Sequence, residues 1–507
     1  MAKIVKLSGL SSLAAGPRGF LAANRFAPAL YVLGVLITGF GFLMLIPLAI
    51  SWLTADGAHG AYDEAVLITI VSGSLLSLSV GRQHREMRVR ESFLLVALIW
   101  SLLPAFGALP LYLQIDGLSW TDAYFEAVSG LTATGATVLS GLDRLPLSIN
   151  FWRTFMHWVG GLGVVVLAVA VLPLLGFGGR GMLRAETPGP MKDSKITPRI
   201  TETAKGLWVV YVILTIACGA SLYQMGMGGW DAMMHAFSIM GLGGFSSKDA
   251  SLGHFDSLEI ELVVILFALL AGISFSTHFL AFSQRSLRAY RVDIEAHYFL
   301  GTLALSILAL SLYLWPTDIY PDYPTTLRYV AFHSVSLATS LGFATTDYVL
   351  WPLFGQLWIL FLGSFVACSG SAGGGIKMMR AVVLYKQVSR ELMRAMHPRG
   401  MQAVRFGETV IPDPVLHAIL GFMFIYVVSI VLLTLLMVAT QLDIITAFSA
   451  VVACLNNTGP GLNLVGPSTT YAVLTDFQTW VCTWAMLLGR LEIFTLLVLL
   501  TPAFWRH

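Results

Sequence analysis

Thr132-Ala133-Thr134-Gly135, Met240-Gly241-Leu242-Gly243, Thr339-Ser340-Leu341-Gly342 and Asn456-Asn457-Thr458-Gly459 each end a short segment set between two long apolar stretches. Non-helical backbone at membrane depth is tolerated only where protein buries it or where it lines a water-filled path. Glycine reaches backbone conformations with positive φ that other residues avoid. Alternating such conformations turns successive carbonyls toward one axis, where they can replace the water around an alkali cation. Four turns of this kind predict four quarters of one filter within a single chain.

The surroundings agree with that reading. The chain has 507 residues, 56% hydrophobic and 11% charged, with mean hydropathy +0.77. A soluble domain carries roughly 25% charged residues, so this chain has too little charge to solvate a globular surface of its size. It reads as an integral membrane protein. Ten spans are predicted, at 28–54, 62–80, 91–114, 150–176, 205–226, 258–284, 296–315, 353–388, 413–440 and 472–503, the seventh and eighth irregular and the eighth interrupted. Each approaches or exceeds the ~20 apolar residues that a bilayer requires. The first 27 residues hold no apolar core long enough for a signal peptide, so the first span is expected to be kept.

Charge tests the layout. Of the 30 Lys and Arg, all but Arg144, Arg153, Lys248, Arg328 and Arg490 fall in loops on one side. The excess of bases on cytoplasmic loops places both termini in the cytoplasm. Acids run the other way, with Asp116, Glu126, Asp143, Asp231, Asp256, Glu261 and Asp347 among those outside. A negative mouth raises local cation concentration; the alternative is that acids fill solvated loops from which bases are excluded.

Spans three to ten form four pairs, each an outward helix, a re-entrant segment and an inward helix. The re-entrant segments are Thr121–Ser140, Gly229–Asp249, Thr325–Asp347 and Thr446–Val465, and their starts are alike in Asp122-Ala123, Asp231-Ala232 and Thr446-Ala447. The fold class is therefore all-α and polytopic, with about ten transmembrane helices, eight of them in four helix–re-entrant loop–helix repeats around one pore. The expected divisions are a cytoplasmic N-terminus at 1–27, two extra helices at 28–90, repeat 1 at 91–184, a cytoplasmic loop at 185–204, repeat 2 at 205–292, repeat 3 at 293–405 and repeat 4 at 406–507. The filter residues are Ala133, Thr134, Gly135, Gly241, Leu242, Gly243, Ser340, Leu341, Gly342, Asn456, Asn457, Thr458 and Gly459. Thr134, Thr339, Asn456, Asn457 and Thr458 can brace the turns by side-chain hydrogen bonds.

The eighth span is cut at 368–377 by Gly370-Ser371-Ala372-Gly373-Gly374-Gly375, followed by Ile376 and Lys377. Each glycine costs roughly 1 kcal/mol against alanine in a helix interior, so this run should open into a loop within the membrane. It is no phosphate loop, since Met378 follows Lys377 where GxxxxGK[ST] needs a hydroxyl residue. Arg490 lies deep inside the tenth span, and a mid-membrane arginine faces the protein interior or a cavity. Glu492, two residues on, lies on another side of the helix and is not its partner.

Rival chemistries find no residues. Cys218, Cys368, Cys454 and Cys482 read as buried thiols, and the histidines lack metal-ligand spacing. His235 and His333, in re-entrant helices, read as packing or hydrogen-bonding groups. No zinc-protease, nucleophile-elbow or Walker motif is present, so an enzyme is not expected.

Gly243-Gly244-Phe245-Ser246, Asn456-Asn457-Thr458-Gly459-Pro460-Gly461 and Thr134-Gly135-Ala136-Thr137 resemble the filters of the Trk/Ktr/HKT cation transporters. Arg184-Ala185-Glu186-Thr187-Pro188-Gly189-Pro190, Thr197-Pro198-Arg199 and the two extra N-terminal helices resemble the TrkH-type branch. The resemblance implies a K⁺ uptake pore in the bacterial inner membrane, with K⁺ as the transported ion and no organic cofactor. It implies a homodimer with one pathway per subunit, surrounded by membrane lipid, and a cytosolic nucleotide-binding TrkA-type ring as partner; no nucleic acid is expected. It also implies that the 368–377 loop is the gate beneath the filter. For Arg490 it implies a barrier to cations, the alternative being a structural tie to gate or filter backbone. Glycine at Gly135, Gly243, Gly342 and Gly459 goes in that family with K⁺ permeation, while Ala133, Leu242 and Leu341 depart from its commoner Thr-rich loops. The alternatives are a Na⁺ or mixed-cation transporter of the same fold, or a coupled secondary carrier; the near absence of acids inside the spans disfavours proton coupling.

Overall fold

A computed structural model describes residues 26–82, 87–163, 200–398, 403–407 and 409–506. The basic N-terminal tail, the end of the fourth expected span and the Arg184–Pro190 and Thr197–Arg199 motifs lie outside these residues. Six of the described helices are long and apolar enough to cross a membrane, and two bent pairs raise the number to eight. The eighth expected span is cut by its loop, as its glycines predict.

The N-terminal hairpin pairs Ala27–Thr54 with His59–Val80. Gly34 and Gly73 face each other there, and a Cβ on Gly73 would stand 2.8 Å from the Gly34 carbonyl oxygen. Small residues let membrane helices approach in this way. Four short helices, Trp120–Leu131, Gly229–Gly241, Tyr323–Ala338 and Ile444–Leu455, are the re-entrant half-helices. Three begin on a capping side chain, which satisfies a backbone N–H that the helix itself leaves free. Ser119 accepts from Asp122 N–H at 3.1 Å, Asp322 from Thr325 at 2.8 Å and Asp443 from Thr446 at 2.9 Å.

The second helix of every repeat, expected from sequence to run inward, is broken. Repeat 1 has a π-helical stretch at Val159–Gly163, repeat 2 bends by 91° between Gly272 and Phe275, repeat 3 opens from Val366 to Lys377, and repeat 4 bends by 112° between Arg490 and Phe494. Sequence reading expected only the third of these breaks. The sixth and tenth spans, read as continuous over 258–284 and 472–503, are therefore corrected to bent pairs. At 491–493 no glycine announces the turn: Glu492 and Ile493 themselves take positive φ. The seventh span, expected to be irregular, is one continuous helix, Ile294–Leu314, which starts on the side-chain cap of Asp293. A small antiparallel hairpin pairs Arg405 with Val410 after the long helix Met378–Met396.

Glycines set how closely the inward helices approach the half-helices. A Cβ on Gly160 would meet the Leu131 carbonyl oxygen, one on Gly363 the Leu337 oxygen at 2.7 Å, and one on Gly489 the Leu455 oxygen at 2.0 Å. The half-helix ends thus rest directly on backbone, and their turns are held on a common axis.

Candidate functional site: four turns around one axis

The four turns share one backbone pattern. Ala133, Leu242, Ser340 and Asn457 have φ of 53°, 52°, 61° and 51°, and two residues later Gly135, Gly244, Gly342 and Gly459 have 83°, 73°, 81° and 93°. Their amides agree: Thr134, Gly243, Leu341 and Thr458 donate to Ser129, Ser238, Ser336 and Ala453. The glycine of the second turn equivalent to Gly135, Gly342 and Gly459 is therefore Gly244, one residue beyond the Gly243 expected from sequence. Gly243 occupies the place that Thr134, Leu341 and Thr458 hold elsewhere. The adjacent pair Gly243-Gly244 hid the register, and Leu242, a bulky residue in left-handed backbone, gave no sign of it. Left-handed backbone at a non-glycine residue costs roughly 1–2 kcal/mol, and such residues gather at functional sites.

The turns close into a ring. A Cβ on Gly135 would lie 2.0 Å from the Gly243 carbonyl oxygen, one on Gly244 2.4 Å from Leu341 oxygen, one on Gly342 2.2 Å from Thr458 oxygen, and one on Gly459 2.6 Å from Thr134 oxygen. Each repeat's glycine meets the same carbonyl of the next repeat, and the fourth returns to the first. Only glycine leaves room for this approach. A cavity of about 180 Å³ opens above the ring and is lined by Gly135, Gly244, Gly342 and Gly459 together with Arg153 and Lys248.

Side chains brace the ring. Asn457 donates from Nδ2 to Thr134 Oγ1 at 2.9 Å and to the Met486 carbonyl at 3.1 Å, linking repeats 4 and 1. Asn456 accepts from Tyr426 and donates to Ser364, and Thr339 donates to Val335 at 2.8 Å. Thr458, expected as a brace, has no hydrogen-bond partner for its hydroxyl among the described residues. Ser238 and Ser336 hold the chain just past the ring through the Phe245 and Phe343 carbonyls, at 2.6 and 2.7 Å.

A second set of braces was not foreseen as a set. Glu126, His235 and His333 stand at one equivalent position, each the same distance before its ring glycine (126 to 135, 235 to 244, 333 to 342). Each holds the segment that leaves the ring: Glu126 accepts from Thr137 and Val138, His235 pairs with Ser246 Oγ at 3.0 Å, and His333 Nε2 accepts from Thr345 N–H at 3.4 Å. That common spacing is the sequence signal that would have placed Gly244 correctly. Glu126 and Arg153 were read as charges of the outer face, but both are 0% exposed and pair at 2.7 Å. Glu261 likewise pairs with Arg328 at 2.8 Å, and Lys248 reaches Asp143 at 3.5 Å. Three of the four bases expected on that face, Arg153, Lys248 and Arg328, thus pair with nearby acids.

Below the ring, Cys368–Lys377 is irregular, as expected. Gly373 and Gly374 lie against the ends of the third and fourth half-helices: a Cβ on Gly373 would stand 2.7 Å from Thr339 oxygen, and one on Gly374 2.1 Å from Asn456 oxygen. Gly374 N–H also donates to Ser340 Oγ at 2.9 Å. Lys377 is buried, has φ of 74° and donates back to the Gly373 carbonyl. Arg490 Nη1 donates to the Ala372 carbonyl at 3.1 Å and Nη2 to the carbonyls of Gly160 and Gly161. Glu492 pairs instead with Arg380 at 2.5 Å, in agreement with its expected separation from Arg490. All four cysteines are buried free thiols.

Residues 61–506 match the TrkH family, described as cation transport proteins. The Trk system potassium uptake protein TrkH of Halomonas elongata is 47% identical over 482 residues, covering 94% of this chain and 98% of the relative. The protein of the same name from Escherichia coli K12 is 42% identical over 477 residues, with 94% and 98% covered. The crystal structure of the potassium transporter TrkH from Vibrio parahaemolyticus superposes with a TM-score of 0.86 at 40% identity, covering 95% of this chain and all of that one.

Proposed function

The chain belongs to the TrkH family of cation transport proteins, multi-pass membrane transporters and not enzymes, and on that premise we propose that it is the K⁺-conducting subunit of a Trk-type uptake system. The observation that carries this reading is the closed ring in which each filter glycine abuts the next repeat's carbonyl. K⁺ sheds water and is held by the backbone carbonyls of Ala133–Gly135, Leu242–Gly244, Ser340–Gly342 and Asn457–Gly459. Only carbonyls are required of those positions, so Leu242 and Leu341 in place of threonine are compatible with K⁺. The membrane potential supplies about 2.3 kcal/mol per charge per 100 mV. The Cys368–Lys377 loop, pressed against the half-helix ends, is the gate.

The chain works in the bacterial inner membrane with both termini cytoplasmic, as a homodimer under a cytosolic TrkA-type nucleotide-binding partner. The charge asymmetry and the family's Trk system support this arrangement. Flux of K⁺, Rb⁺, Na⁺ and Li⁺ into proteoliposomes tests the proposal. K⁺ and Rb⁺ should pass in preference to Na⁺ and Li⁺, and passage of Na⁺ with neither K⁺ nor Rb⁺ under any condition would overturn it.

A further inference from the structure

We infer that Glu295 is the latch of the intramembrane loop, a positioning residue that holds both ends of the loop at once. This rests on the reading of Cys368–Lys377 as the gate. One carboxylate oxygen, Oε1, accepts from Ser369 N–H at 2.8 Å and from Met379 N–H at 2.9 Å. Ser369 begins the loop and Met379 lies just after its end. Met379 is in the first turn of Met378–Met396, a helix whose own preceding residue, Lys377, gives it no side-chain cap. Glu295 therefore caps that helix from another one, with its charge at the positive end of the helix dipole.

The latch sits where a cytoplasmic element can reach it. The start of the loop is also bonded to the elbow of repeat 2: Cys368 N–H donates to Gly272 oxygen at 3.2 Å, and Phe275 N–H to Gly370 oxygen at 3.1 Å. From that elbow run Phe275–Gln284 and Arg288–Val292, and the basic residues Arg285, between them, and Arg288 and Arg291, in the second, mark the side expected to be cytoplasmic. Between the elbow and the loop lies a cavity of about 450 Å³, lined by Ser274, Thr277, Arg288, Asp293, Glu295 and Ser369. A shift of this hairpin pulls on the loop start while Glu295 holds its end, so releasing the carboxylate frees the loop.

Rb⁺ uptake into proteoliposomes of the full chain without its regulatory partner tests the latch. The proteins compared are wild type, E295Q, E295A, a deletion of Gly370–Gly375, and the deletion combined with E295A. E295A should raise uptake on the order of tenfold through loss of two charge-assisted bonds, and E295Q less, because its oxygen still accepts but carries no charge. The preference for Rb⁺ over Na⁺ should stay at the wild-type value in both, which a general loosening of the fold would not allow. E295A should add nothing to the deletion. E295Q keeps the shape of the side chain and serves if E295A does not fold. Uptake at or below wild type in both Glu295 variants, with the deletion raised, overturns the latch and leaves the gate standing. An unraised deletion overturns the gate reading and the latch with it.

Discussion

Arg490 Nη1 donates to the Ala372 carbonyl at 3.1 Å while its Nη2 holds the carbonyls of Gly160 and Gly161. One side chain of repeat 4 thus ties the loop of repeat 3 to the π-helical break of repeat 1. Its guanidinium also lies over the Trp100 ring at 5.1 Å. These contacts are those of a structural tie to the Cys368–Lys377 loop, one of the two roles open from sequence.

A tie and a barrier predict different outcomes for Arg490→Gln. Hydrogen bonds to charged groups contribute about 1.5–3 kcal/mol each. Losing the bond to Ala372 should loosen the loop and raise partner-independent Rb⁺ flux severalfold. R490K should fall between, since an ammonium cannot span both carbonyl groups in a planar fork. Flux through R490K equal to wild type would instead favour a purely electrostatic barrier, which needs only the charge.

The register of the second turn can be tested by rescue. In Gly244→Ala the new Cβ meets backbone, Leu341 oxygen at 2.4 Å, at a φ of 73°. In Gly243→Ala it meets a side chain, His157 Nδ1 at 2.3 Å. G244A and G135A should both lose K⁺ selectivity, and no neighbouring truncation should restore it in G244A. G243A should be damaged less and should regain flux and selectivity when combined with H157A. Ion-competition flux in the single and double variants reads both, and rescue of G244A by H157A would return the register to Gly243.

The parts of this architecture that were legible in the sequence are those written in residue type. Apolar length gave most of the long helices, though not the bends in the sixth and tenth, and Gly370–Gly375 gave the loop. What stayed hidden depends on tertiary contact. Leu242 and Ile493 take left-handed backbone only because surrounding structure holds them there. Nothing in the sequence singles out Glu295, and Glu126 and Arg153 read as outer-face charges, because the atoms that meet them come from distant segments: Ser369 and Met379 for the first, and Thr137, Val138 and the Ser246 carbonyl for the pair.

The Glu126–Arg153 pair makes a prediction on stability. Removing one partner of a buried ion pair leaves an uncompensated charge and costs about 3–5 kcal/mol. Glu126→Gln and Arg153→Met should each lower the unfolding temperature in detergent and reduce K⁺ flux, since Arg153 also holds Ser246 oxygen at 3.2 Å behind the filter. The double variant should be more stable than the sum of the two losses implies. Strict additivity would mean that the two charges are not coupled.

Asp56 predicts how the N-terminal hairpin responds to acid. Partial burial alone would raise its pKa. Hydrogen bonds from Ser51 Oγ, Ser148 N–H and Ala58 N–H, at 2.5, 2.8 and 3.2 Å, more than offset this and hold its carboxyl below the usual carboxylate value. The depressed folded pKa sets the sign: the stabilisation is complete above the unfolded pKa and is lost as pH falls through the folded one. Because Ser148 opens the inward helix of repeat 1, the bond joins the two extra helices to the pore repeats. Wild type should lose thermal stability on acidification below about pH 4, the ordinary range of an aspartate. Asp56→Asn should be less stable than wild type at pH 7, and the difference should shrink toward pH 3. A difference that stays constant across this range would show that the charge of Asp56 does not stabilise the joint.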